Sequence, residues 1–307
     1  MAAQSRPIVE AFRQGRPPVF DADAIWRWIN AADWMIENGE LEPAEAAVRA
    51  LNAAQPELEW ASNLCALFDH LPEPCPGLAD FHDDMSKDVQ VVARDGATVA
   101  LIVFCGARHR IGMPLPLMHR WLSRLDASLI YLRDFHELCY LRGVASLGGS
   151  LAQTTDGLRR RLAELGADRL ICYGSSGGGY GALRYALELG GGAISLGSPT
   201  NLSPAFNTHM NHGAFAKQLQ SACPAEELDL RRLFEARATS RPVLIVYGER
   251  NWNERIHAEH FGGLAGVTLH GVPGYGGHAT AAELIRRGEL EPMLEGFLRR
   301  SLEPVGT

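Results

Sequence analysis

Positive charge is in deficit. The 307 residues carry 29 Lys and Arg against 36 Asp and Glu, a net charge of −7 with histidine neutral. A nucleic-acid binder needs a basic face to displace phosphate counterions, so this balance argues against that class. The clusters Arg159-Arg160-Arg161, Arg231-Arg232, Arg286-Arg287 and Arg299-Arg300 are short and fall in helix-like stretches, where they read as solvated faces. No run approaches the ~18 apolar residues of a spanning helix. Met1 to Phe20 carries charges and prolines and lacks an apolar h-region, so it does not read as a secretory signal. The six cysteines include no CxxC pair, which speaks against a disulfide framework or a zinc site. Cys105 and Cys172 lie in strand-like runs as small hydrophobes. A reduced, cytoplasmic setting is the expectation.

What is present is an ordinary globular composition: 46% hydrophobic and 21% charged residues, enough apolar side chain to offset ordering entropy. Length suggests about two domains. Residues 21–71 read as helix throughout. Asp21 or Asp23 can cap a helix with Ile25, Trp28, Ile29, Ala32 and Met35 at three- and four-residue steps, which Asn38-Gly39 ends. Pro43 suits the first turn of a second helix carrying Ala46, Ala47, Ala50 and Leu51. A third, from about Pro56 to Leu71, carries Leu58, Ala61, Leu64, Cys65 and Phe68. Trp28, Ala32, Gly39, Ala44 and Pro56 fall where a tetratricopeptide repeat has its Trp, small residue, Gly, Ala and Pro. The segment therefore resembles one such unit, although stable arrays usually need three or more. The alternative is a helical hairpin packed on the main domain. The Leu71-Pro-Glu-Pro-Cys-Pro-Gly77 stretch blocks both helix and strand pairing and reads as a linker. The expected division is a helical region over 1–75 and an α/β domain over 76–307.

From residue 88 strands and helices alternate. Val89–Ala93, a tight turn at Asp95-Gly96 and Ala97–Phe104 come first. Ser128–Tyr131, Arg169–Tyr173, Ala193–Leu196, Pro242–Tyr247 and Val267–His270 follow as further strands. Helices are expected over Gly157–Leu165, Tyr180–Leu189, Arg255–Phe261, Ala281–Arg287 and Pro292–Leu302. The fold class is α/β: a mostly parallel sheet flanked by helices on both faces, preceded by a small all-helical segment.

Directly after the Arg169–Tyr173 strand comes Gly174-Ser175-Ser176-Gly177-Gly178-Gly179-Tyr180-Gly181, then a helix. This is G-x-S-x-G with Ser176 at its centre. Small residues two before and two after the serine let the chain turn sharply and push its side chain out. The helix N-terminus behind it favours developing negative charge. No Lys follows to make a phosphate-binding loop, and G-x-G-x-x-G fits only in part, with Ala182 at its third glycine.

Over about residues 88–302 this order resembles the α/β-hydrolase fold. The resemblance implies a histidine after the last strand, which is His278, 102 residues beyond Ser176 in a glycine-rich loop. His270 at the end of the strand and His260 in the preceding helix are its competitors. The resemblance places an acid just past Tyr247-Gly248. The commonest pattern, Gly-Glu-x-Asp, would put it at 251, which here is Asn. Glu254 is favoured, then Asn251 as an uncharged orienter of the imidazole, then Glu249. The oxyanion hole would take backbone N–H groups from Gly177 and from the Gly106-Ala107 loop. Arg108, with His109 and Arg110, can hold an anionic group or line a solvated loop edge. Tyr180 and Tyr275 border the elbow and the histidine loop as pocket-lining or packing residues. The segment from Leu196 to Pro242, with Ser198-Pro199-Thr200-Asn201, His209 and His212, is the expected source of a small lid.

The implied chemistry is acyl transfer from an ester, thioester or amide to water, which demands no metal or organic cofactor. An active serine hydrolase is the first reading. An α/β-hydrolase-like binding or scaffold protein is the second, favoured by Asn251 and by the helices at the front, which can take a protein partner. An acyltransferase on the same fold is the third.

Overall fold

The computed structural model describes residues 4–76, 81–204, 206, 218, 219, 221, 223–237 and 241–302. Four helices lead: α1 Arg6–Arg13, α2 Ile25–Glu37, α3 Leu41–Ala54 and α4 Glu59–Asp69. The Asp21 side chain accepts from the Asp23 N–H and starts a 3₁₀ turn that feeds α2. Gly39, at φ +76°, supplies the left-handed step between α2 and α3. The first helix, α1, lies outside the expected 21–71. Pro7 stands in its first turn, where a missing N–H costs nothing, and Ile8, Val9 and Phe12 are its buried stripe. The Phe12 and Phe20 rings each meet Trp28 edge-on at 5.4 Å.

Among the described residues seven strands follow: β1 Val89–Val92, β2 Val99–Phe104, β3 Ser128–Leu132, β4 Arg169–Ser175, β5 Gly192–Leu196, β6 Val243–Gly248 and β7 Val267–Val272. They form one sheet in the order β1-β3-β2-β4-β5-β6-β7, with β1 antiparallel at the edge and the other pairings parallel. The turn at Asp95-Gly96 forms, but β1 and β2 make no hairpin, because β3 pairs with both and lies between them. All six residues of β2 are buried, so both its faces are covered and turn propensity does not decide its neighbour.

Side-chain alternation along β2 sorts the core into two layers. Val99, Leu101 and Val103 face a layer built with α1–α4, α5 (Leu115–Leu122) and the helices Thr280–Arg286 and Leu290–Leu302. Ala100, Ile102 and Phe104 face the other, with α6 (Leu151–Glu164), α7 (Gly177–Leu189) and the helices Leu230–Arg237 and Trp252–Phe261. The leading helices thus share an apolar core with one face of the sheet. Among the described residues no helix is long and apolar enough to cross a membrane.

Candidate active site

Strand β4 ends at Ser175 and α7 begins at Gly177. Between them Ser176 is held at φ 53°, ψ −130°. A non-glycine residue in such a conformation costs about 1–3 kcal/mol and persists only where its surroundings over-determine it. Here the Ser176 N–H donates to the Leu196 carbonyl of β5 at 2.9 Å. A Cβ on Gly178 would run into the Phe104 carbonyl of β2, so only glycine lets the start of α7 lie this close to the sheet.

His278 lies in the loop between β7 and the Thr280–Arg286 helix. Its Nδ1 meets Glu254 Oε1 at 2.8 Å. Glu254 is buried in the first turn of the Trp252–Phe261 helix, and its Oε2 accepts from the Gly248 N–H at 2.8 Å and from Thr280 Oγ1 at 3.4 Å. The hydrogen bond to Glu254 raises the His278 pKa above its ordinary 6.5.

The three acid candidates separate cleanly. Asn251 caps the helix, accepting from the Glu254 N–H at 3.3 Å, and donates to the Gly277 carbonyl at 3.2 Å. It shapes the histidine loop rather than orienting the ring. Glu249 is exposed, and Oε2 accepts from the Gly274 N–H at 3.3 Å. Glu254 is the residue that reaches His278. Of the competing histidines, His260 pairs with Asp229 at 2.9 Å. His270 lies within β7, three residues before the loop that carries His278.

The loop after β2 approaches the elbow closely: a Cβ on Gly106 would lie 2.7 Å from the Ser175 carbonyl. The Gly106 N–H, however, donates to the Arg110 carbonyl at 2.7 Å. That corrects its assignment as an oxyanion donor, since the turn already uses its proton. Ala107 and Gly177 remain, and both line one hollow of about 280 Å³ with Ser176, Cys139 and Tyr140.

Arg108, Arg110, Tyr180 and Tyr275 line neither hollow beside Ser176, which corrects their reading as substrate contacts and leaves the packing alternative for the two tyrosines. Arg110 does not face the site. Its guanidinium pairs with Glu37 at 2.7 Å and Asp33 at 3.1 Å on α2. Arg108 is exposed at φ 56° and lines neither hollow beside Ser176. Tyr180 is fully buried in the second core layer, its hydroxyl donating to the Glu227 and Leu228 carbonyls at 3.3 Å. One residue into α7 from Gly179, its side chain points away from the cavity. Tyr275 packs against the first core layer, and its carbonyl accepts from the Arg250 N–H at 2.8 Å.

Ser176 and His278 share a cavity of about 360 Å³ whose other walls include Glu254, Phe206, Trp252, Ile256 and His257. Of the expected lid, Ser198, Pro199 and Phe206 contribute lining, whereas His209 and His212 lie outside the described residues. The His257 Nδ1 accepts from the Thr200 N–H at 3.1 Å, and burial pushes its pKa down to about 4, so the ring is neutral at pH 7. Cys139 borders both hollows at φ 53°, and burial pushes its thiol up to about 12. Its loop is organised by Asp134, whose carboxylate accepts from the His136, Leu138 and Tyr140 N–H groups. Sequence reading missed Cys139, His257, Phe206, Trp252 and Ile256. No local pattern marks them, because they meet Ser176 and His278 only through tertiary packing.

A parallel sheet with one antiparallel edge, a strand–Ser–helix elbow at its centre, and a histidine loop after the last strand complete the pattern. The fold is the α/β-hydrolase fold. Among solved structures, the acylaminoacyl peptidase of Pyrococcus horikoshii is similar at 15% identity and TM-score 0.49, over 71% of this chain and 40% of that one. This chain therefore spans well under half of that peptidase's length. An esterase of Pyrococcus furiosus is similar at 14% identity and TM-score 0.47, over 76% and 99% of the two chains. The dienelactone hydrolase of Anabaena variabilis is similar at 15% identity and TM-score 0.43, over 70% and 92%. No family model and no curated protein matches the chain. Among the described residues no group of three or more His, Cys, Asp or Glu side chains is arranged to hold a metal.

Proposed function

We propose that the chain is a serine hydrolase that cleaves an ester or thioester through Ser176, His278 and Glu254. The observation that carries the reading is the Glu254–His278 pair, closed at 2.8 Å on the wall of a cavity that also holds the strained Ser176. His278 Nε2 takes the Ser176 proton as Oγ bonds to the carbonyl carbon. The carbonyl oxygen becomes an oxyanion facing the Gly177 and Ala107 amides. The carbon–oxygen or carbon–sulfur bond then breaks, and the imidazolium returns its proton to the departing alcohol or thiol. Water, deprotonated by His278, hydrolyses the acyl-serine by the same steps. Glu254 accepts from Nδ1–H, which fixes that tautomer and stabilises the imidazolium. The cavity walls Phe206, Trp252 and Ile256 suit an apolar group on the substrate.

A fluorophosphonate probe tests the nucleophile. The wild type should label and Ser176→Ala should not. Equally poor labelling of the two would remove the enzyme reading and leave a binding protein on this fold.

A further inference from the structure

The helices at the front of the chain reach the candidate oxyanion loop. Residues 105–113 leave β2 and fold back on themselves. The Gly106 N–H donates to the Arg110 carbonyl at 2.7 Å, and the His109 N–H donates to the Gly106 carbonyl at 3.1 Å. Two consecutive non-glycine residues of this turn, Arg108 and His109, are left-handed, at φ 56° and 57°. Residues in that region keep their conformation only when held from outside. On one side the His109 ring stands edge-on to Phe135 at 5.0 Å.

The other side is held by Arg110. Its Nη2 meets Glu37 Oε1 at 2.7 Å and Asp33 Oδ2 at 3.1 Å, and its Nη1 meets Asp33 Oδ1 at 3.3 Å. Asp33 and Glu37 are one turn apart on α2, so their carboxylates form a single receptor for the planar fork of an arginine. All three side chains are largely shielded, with exposures of 18%, 16% and 24% for Arg110, Asp33 and Glu37. They therefore escape most of the solvent screening that makes exposed pairs nearly worthless. The residue whose guanidinium is clamped is also the one whose carbonyl occupies the Gly106 amide. With that amide taken, Ala107 is the loop residue beside Ser176 and Gly177.

We propose that Arg110 is a positioning residue: clamped by Asp33 and Glu37 of the leading helices, it holds the loop so that the Ala107 amide faces the oxyanion formed at Ser176. The proposal rests on the reading of Ser176 as the nucleophile. It makes the front helices part of the catalytic architecture through chemistry they do not themselves perform. They also touch the opposite flank of the site, because α4 packs on the Thr280–Arg286 helix that follows His278.

Steady-state kinetics with p-nitrophenyl acetate, together with thermal melts, test it. Arg110→Met and the pair Asp33→Asn/Glu37→Gln should each lower kcat by about 10- to 100-fold with KM within about threefold, as expected for a displaced oxyanion donor. The triple variant should be no worse than Arg110→Met alone, because all three changes remove one interaction. Arg110→Lys, which keeps the charge and loses the fork, should fall between. Should Arg110→Met not fold, the kcat of Asp33→Asn/Glu37→Gln decides. A folded variant with kcat within about twofold of the wild type overturns the proposal, as does a loss that falls on KM instead. Turnover that survives Ser176→Ala removes both this proposal and the nucleophile reading. Ser176-dependent turnover indifferent to the clamp removes this proposal alone.

Discussion

Glu254 and Asn251 divide two tasks by side-chain length. Asn251 is short and turns back on its own helix, while Glu254, one turn on, spans to His278 and still accepts the Gly248 N–H. Glu254→Gln should therefore lower kcat by about 10³- to 10⁴-fold, in line with loss of the charged partner of a catalytic histidine. Asn251→Ala should act on stability instead, by about 0.5–2 kcal/mol for a lost cap. If Asn251→Ala is the dead variant and Glu254→Gln is near wild type, the assignment of the acid is wrong. The pH dependence carries a sign as well. His278 must be neutral to accept the serine proton, so activity is present above its pKa and lost as pH falls through it. Glu254 raises that pKa above 6.5, so the acidic limb of kcat/KM should lie above the ordinary histidine range. In Glu254→Gln the limb should move to lower pH; an unmoved limb would detach it from this pair.

At the scale of elements, the elbow depends on contact between α7 and β2. Gly178→Ala sets a methyl against the Phe104 carbonyl, and neither backbone can yield without opening the sheet. Its urea midpoint should report a loss of about 1–3 kcal/mol, as for other overpacked sites, and Ser176 labelling should slow. Gly149→Ala, where only the Gln153 side-chain oxygen approaches, at 4.0 Å, should leave both unchanged. The same contacts explain what could be read beforehand. Ser176 and His278 were legible because each sits in a glycine-rich turn whose spacing reports backbone geometry. Glu254 could only be ranked, because a helical glutamate one turn past a strand looks like any first-turn acid. Arg110 was misplaced because its partners lie 73 and 77 residues earlier, although Asp33 and Glu37 at a four-residue step were a readable pair. Helix α5 escaped notice because Pro114 and Pro116 obscure it, yet one precedes the helix and the other stands in its first turn, where proline is tolerated. The cavity walls Phe206, His257 and Cys139 meet only through tertiary packing, which local patterns do not encode.

At the scale of the molecule, one cluster of buried apolar side chains runs from Phe12 and Trp28 through Met118 and Trp121 to Leu101 and Val103. Amides of α3 and those of β2 should then become exchangeable with deuterium through one common opening event, at matching free energies. Protection that fades in α2–α4 long before it fades in β2 would show that the front helices open on their own. If the two do open together, every fluctuation that bares the sheet to solvent also unseats the support beneath Arg110. Solvent access to the interior and turnover would then rise and fall as one thermal process, and the catalytic lifetime of the protein on warming would be set by that shared opening.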